Sequence, residues 1–274
     1  MYRRPPLQST AVRSKGSRAS DSFFRDIFER LRTLSGRRIE WPQLLRFLIE
    51  NELAKIRKEG QPYVGEVFRD RDQHAYRHEF NKGQHLEVVS AQRLYREVHR
   101  LGNGCLQLGD ENVLLISYNV PNQPGYTRRC ADLMGLRLDG SLVVFECKGK
   151  DNADSPLLAV FEGLDYFGHL AIPANITTLQ KGFGVWRNKP RNASALSKIP
   201  ANFSNVTIKP KARHAVIVLA PQDYFSIHLK DAKKKSQDWQ LLSDRAWPAT
   251  PSSVGLDFAI TDFKSACCPL LTLD

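Results

Sequence analysis

The chain has 274 residues, 42% of them apolar and 25% charged, which allows one sizeable core with an accessory piece. No apolar run approaches the length needed to cross a bilayer, so a membrane partner is not expected. The net charge of +11, with a pI near 9.5, says little about fold but points to an anionic partner, nucleic acid first and an acidic membrane second. Five cysteines (Cys105, Cys130, Cys147, Cys267 and Cys268) make no C-x-x-C pair and have no zinc-type histidine spacing, which reads as free thiols in a reducing, cytoplasmic setting.

Residues 1–20 carry Arg3, Arg4, Arg13, Lys15 and Arg18 with no acid, and read as a disordered basic tail, with a mitochondrial transit peptide as the second reading. Two helical patterns follow in residues 21–60. The first is built on Phe23, Phe24, Ile27, Phe28 and Leu31; the second opens at Pro42 and stops at Gly60, and together they form a helical N-terminal appendage. Residues 61–274 are assigned to the main domain. After a polar stretch, a helix is expected from Gly83 to Leu101, with Leu86, Ala91, Leu94, Val98 and Leu101 on one stripe. Glu87 falls in the middle of that stripe, where a carboxylate is expensive unless something pairs with it.

A strand around Val113–Tyr118 comes next, then a loop marked by Pro121, Pro124 and Gly125, then a hairpin. Beyond it, Asp154 or Ser155 caps a helix that starts at Pro156 and contains Leu157, Leu158, Phe161, Leu164 and Leu170. AVIVLA at 215–220 reads as a buried strand, and 256–260 as a weaker one. The order helix, three strands, helix, strand belongs to an α/β domain with a mixed central sheet flanked by helices.

The hairpin carries the chemistry. Glu146 and Lys148 lie two apart and share one face of a strand, while Val143, Phe145 and Cys147 point to the other. A two-residue Asp139-Gly140 turn would put Asp132 opposite Cys147. A three-residue Leu138-Asp139-Gly140 loop, with Gly140 left-handed, pairs Arg137 with Ser141 and sets Asp132 across from Glu146; this second register is the one expected. Two opposed carboxylates repel, and a divalent cation turns the repulsion into ligation. Oxygen donors suit Mg2+ or Mn2+, with Lys148 beside the bound water and Glu87 as a further carboxylate.

Asp132, thirteen intervening residues and then Glu146-Cys147-Lys148 resemble the signature of the PD-(D/E)XK nuclease superfamily, an Asp in one strand and Glu-x-Lys in its hairpin partner. Glu87 is similar in place to the glutamate that the family's preceding helix often supplies. Glu162 and Tyr166 have the spacing of its Gln-x-x-x-Tyr motif, with Glu in place of Gln, and Ala131 stands where the family name puts Pro. The resemblance spans roughly residues 83–170. It implies a restriction-endonuclease-like fold and metal-dependent phosphodiester hydrolysis, with Asp132, Glu146 and the Cys147 carbonyl on the metal and Lys148 assisting the water. Dimerisation also enters by this analogy alone.

From Lys181 to Lys235 there are twelve Lys or Arg against Asp223 and Asp231. The stretch 181–200 reads as a basic loop laid along phosphates, offering Lys181, Trp186, Arg187, Lys189 and Arg191. For the tryptophan alone, packing onto the core is the competing reading. Lys233, Lys234 and Lys235 sit on a polar helix, and Lys150 and Tyr166 complete the expected nucleic-acid contacts. The function that follows is a metal-dependent nuclease acting on DNA ahead of RNA, with a non-catalytic nucleic-acid-binding module of the same fold as the alternative.

Overall fold

In the computed structural model, which describes residues 86–101, 103–121, 130–152, 154, 156–188, 199–235 and 254–271, the apolar runs of the sequence become the interior strands of one seven-stranded mixed sheet. Its strands are β1 (Cys105–Leu108), β2 (Glu111–Pro121), β3 (Cys130–Leu136), β4 (Leu142–Cys147), β5 (Ala215–Ala220), β6 (Gly255–Ile260) and β7 (Cys267–Cys268). They lie in the order β6-β5-β4-β3-β2-β1-β7. β1 to β4 form an antiparallel meander, and β5 and β6 continue the sheet parallel to β4. Every residue of β4 and β5 is buried, as strands covered on both faces require.

One face packs on α1 (Leu86–Leu101) through Ala91, Leu94, Tyr95 and Val98, against Leu133, Val143, Phe145, Ile217 and Leu219. The other carries α2 (Pro156–Leu170) and α3 (Pro173–Asn188), whose Phe161, Leu164, Phe167, Leu179 and Phe183 share a core with Met134, Leu136, Val144, Val216 and Val218. Each large side chain withdrawn from water contributes about 1.5–3 kcal/mol, so the two cores hold the sheet from both sides. A fourth helix, α4 (Gln222–Lys235), follows β5 in the chain.

Two expectations change. Leu101, assigned to the buried stripe of α1, is exposed, because the helix ends there and the chain turns through Asn103 and Gly104 at positive φ. Tyr95 fills the stripe instead, its ring 5.0 Å from that of Tyr118. Residues 181–188, read as loop, are the second half of α3: the glycines at 182 and 184 suggested irregular chain, yet Phe183 and Trp186 are buried and anchor the helix. The expected N-terminal tail and helical appendage, and the helix start at Gly83, lie outside the described residues.

β1 and β7 were not expected. Gln107 N–H donates to Ala266 O, and Gly109 N–H to Cys268 O, joining the segment after β6 to the β1 edge. The same segment reaches β6, with Ile260 N–H donating to Pro269 O and Leu271 N–H to Phe258 O. One strap, which includes β7, therefore covers parts of β1 and β6, which would otherwise present open ladder groups.

The β3–β4 turn has the three-residue form. Arg137 N–H donates to Ser141 O at 2.9 Å, Gly140 N–H donates to Arg137 O at 3.0 Å, and Gly140 has φ +87°. Asp139 Oδ1 accepts from Ser141 N at 2.8 Å and Ser141 Oγ at 2.6 Å; these bonds outweigh partial burial and hold its carboxyl below the usual range. A Cβ on Gly140 would also run into Thr207 O. Gly140→Ala is thus expected to lower stability by about 1–3 kcal/mol, read as a lower urea midpoint at unchanged slope.

Candidate functional site

The register set by that turn runs Leu136↔Leu142 to Leu133↔Phe145, and its continuation places Asp132 across from Glu146. The regular ladder stops there. Instead of pairing onward with β3, Cys147 N–H donates to Asp132 Oδ2 at 2.7 Å. The Asp132 carboxylate thus sits in the fork where β3 leaves β4, at the carboxyl end of β4, where it adjoins parallel β5. In open α/β sheets that end is the usual ligand side.

Glu146 and Lys148 follow on the face covered by α2. Lys148 Nζ donates to Glu146 Oε1 at 2.8 Å and to Glu162 Oε2, from α2, at 2.6 Å. Lys148 is only 1% exposed. α2 can come this close because Gly163 has no side chain: a Cβ there would collide with Val216 and lie 3.8 Å from the Glu146 Cβ. Glu146 Oε2 is buried without a hydrogen-bond partner.

Among the described residues, acids outnumber bases in this enclosed space: Asp132, Glu146 and Glu162 are buried around Lys148, and Glu87 adds to the negative field. Burial pushes Asp132 up to about 7, against the pull of the Cys147 N–H and of Lys148. Burial, with Asp132 and Glu162 nearby, raises Glu146 well above the usual carboxylate range. For Lys148 burial acts in the opposite sense, but Glu146 and Glu162 outweigh it and keep the amine an ammonium. Tyr166, one turn after Glu162, is raised by burial and by Glu146 and Glu162, so its hydroxyl stays a donor.

Glu87 reaches the site from α1. It is half-buried and accepts a hydrogen bond from Asn152 Nδ2, the partner that its place on the apolar stripe demanded. Asn152 lies in the turn after Lys148, where its Oδ1 accepts from Asp154 N–H at 2.7 Å. α4 closes this turn from outside: Tyr224 Oη donates to Asp154 O at 2.8 Å, and His228 Nε2 donates to Asn152 O at 3.3 Å.

The structure therefore brings together Asp132, Glu146, Lys148 and Tyr166, with Glu87 tethered at the rim and Lys150 exposed on the adjoining turn. Among the described residues, no three His, Cys, Asp or Glu side chains are already gathered as a metal-ligand group. Of the expected nucleic-acid contacts, Lys181 is exposed on α3. Trp186 is not available for stacking: it is 4% exposed, with its ring against His99 and Phe183. Arg187 is half-buried, donating to Val206 O at 3.1 Å and lying 5.4 Å over the Phe183 ring, so it serves the α3 packing. Lys189 and Arg191, and the side chains of Lys233, Lys234 and Lys235, lie outside the described residues.

Two contributors were missed. Glu162 was noted for its spacing but not assigned to the site, and the signal lay in a buried Lys148 needing more than one acid. Asn152 could have been sought as the partner of Glu87. Comparisons with family models, with curated proteins and with solved structures returned no match.

Proposed function

We propose that the protein is a divalent-metal-dependent nuclease of restriction-endonuclease-like fold that hydrolyses phosphodiester bonds, in DNA ahead of RNA. The observation that carries this reading is a buried, unpartnered Glu146 oxygen beside a buried Lys148, at the end of β4 where the β3–β4 register, carried one step on, sets Asp132 opposite. Two carboxylates and a neighbouring backbone carbonyl, that of Cys147, form a hard oxygen donor set of the kind Mg2+ or Mn2+ takes, and the surplus of buried acid fits a cation's charge. When bound, such an ion neutralises charge on a phosphate and makes a water nucleophilic near neutral pH.

The chain's own residues supply the remainder. Asp132 gives one oxygen to the Cys147 N–H, which fixes its orientation and leaves the other as donor. Glu146 gives Oε1 to Lys148 and keeps Oε2. Lys148, an ammonium with three donors, offers a positive group to the phosphate under attack, and the Tyr166 hydroxyl is a second donor on the same side. Asn152 steadies Glu87 as the third acid. Lys150 and Lys181, both exposed, provide charge for the sugar-phosphate backbone, so binding should weaken with salt.

The test is incubation of the full chain with supercoiled plasmid and with single-stranded DNA, in Mg2+, in Mn2+ and in chelator, beside Lys148→Ala and Asp132→Asn variants. Metal-dependent cutting lost in both variants is expected. Equal cutting by all three proteins, or none with any metal, would sink the catalytic reading; DNA retention without cutting would favour a binding module.

A further inference from the structure

Lys148 has two acidic partners that are not equivalent. Glu146 also faces Asp132 across the strand fork, and its second oxygen is unpartnered, so its carboxylate is shared between the ammonium and the cation position. Glu162 comes from a different element, α2, and accepts from the same ammonium at 2.6 Å, beside 2.8 Å for Glu146. The close seating of α2 at Gly163 holds that contact in place. An ammonium between two buried carboxylates needs at least one of them, since an uncompensated buried charge is strongly destabilising.

We propose that Glu162 is a positioning residue: it keeps the Lys148 ammonium in the site when a divalent cation draws Glu146 towards Asp132. This rests on the metal-binding part of the nuclease reading and not on cleavage. Without the Glu162 charge, Lys148 must stay on Glu146 and competes with the cation for that carboxylate. Glu162 therefore acts on metal affinity through Lys148, not as a ligand and not as a distant negative charge.

The experiment is a double-mutant cycle on Mn2+ binding, read from the electron paramagnetic resonance of free Mn2+ with no nucleic acid present. Glu162→Gln is expected to weaken Mn2+ binding about tenfold in the wild-type background, and by no more than about twofold in a Lys148→Met background, as coupling between contacting residues requires. An equal loss in both backgrounds, or no Mn2+ binding by the wild-type chain, would overturn the proposal. A second measurement decides the question even if Lys148→Met does not fold. In protein labelled with 15N-lysine, the Lys148 ammonium resonance, shielded from water, should persist at saturating Mg2+ in the wild type and be lost in Glu162→Gln. Loss in the wild type, or persistence in the variant, contradicts the proposal. A chain that shows the expected cycle and cuts no substrate upholds this inference while removing the nuclease reading.

Discussion

Asp132→Asn is expected to make the metal-free protein more stable at pH 8 while reducing metal-dependent cleavage by about 10^2 to 10^3-fold, the effect of losing several kcal/mol of charge stabilisation at the reacting phosphate. Both effects come from one buried carboxyl. Burial holds Asp132 at about 7 in the folded chain, above its ordinary value. A carboxyl raised in this way keeps its proton longer in the native state than in the unfolded one. Stability of the metal-free protein should therefore fall as pH rises from about 4 to about 7, with the full penalty present above that window. A displacement of about 3 pH units corresponds to at most about 4 kcal/mol, which Asn avoids while its amide oxygen still accepts from Cys147 N–H. Urea unfolding in chelator at pH 5, 6 and 8 checks the sign: the variant's advantage should grow with pH. Added Mg2+ should stabilise the wild type and leave the variant unchanged.

Removing the cation of the cluster should act in the opposite direction. Lys148→Ala leaves Glu146 and Glu162 buried, facing each other's charge without the ammonium between them, and is expected to lower metal-free stability by about 3–5 kcal/mol. A double variant that replaces both members of one pair, Lys148→Met with Glu162→Met, should recover most of that loss, since apolar groups of similar volume replace a buried pair with little net change. Denaturant midpoints of Lys148→Met, of Glu162→Met and of the double variant, set against the wild type, give the coupling directly. A Lys148→Ala protein as stable as the wild type would mean that the acids around Lys148 are not charged as described.

How much of this was legible in the sequence depended on whether a local rule controlled the outcome. For the β3–β4 register the sequence allowed two turns, and the three-residue one was expected because it alone puts Asp132, Glu146 and Lys148 on one face; the structure has that turn, held by Gly140 at positive φ and by the Asp139 bonds to Ser141. The buried strands at 142–147 and 215–220 were legible from unbroken apolar runs, and α2 from Pro156 at its first turn. Cys105–Leu108 and Cys267–Cys268 carry no such signal: they are strands because of what lies beside them. α3 was hidden by Gly182 and Gly184, whose low helix propensity is overridden by the burial of Leu179, Phe183 and Trp186. Trp186 fell to the packing reading for the same reason.

At the site, Asp132, Glu146 and Lys148 could be named from spacing, because alternation along a strand fixes which side chains share a face. The splaying of β3 from β4, which hands the Cys147 N–H to Asp132, could not. Nor could the descent of Glu162 onto Lys148, which depends on how closely a helix meets a sheet at Gly163. Asn152 belongs to the same class, since a turn residue gains its role only once Glu87 is brought beside it.

The most direct test of the central claim is the position of the cation itself: anomalous diffraction at the manganese edge from crystals of the full chain grown with Mn2+. A single peak is expected at the carboxyl end of β4, about 2.1 Å from one oxygen each of Asp132 and Glu146, with Lys148 turned towards Glu162. A peak elsewhere on the chain, or none at saturating Mn2+ with the Lys148–Glu146 contact intact, would contradict it.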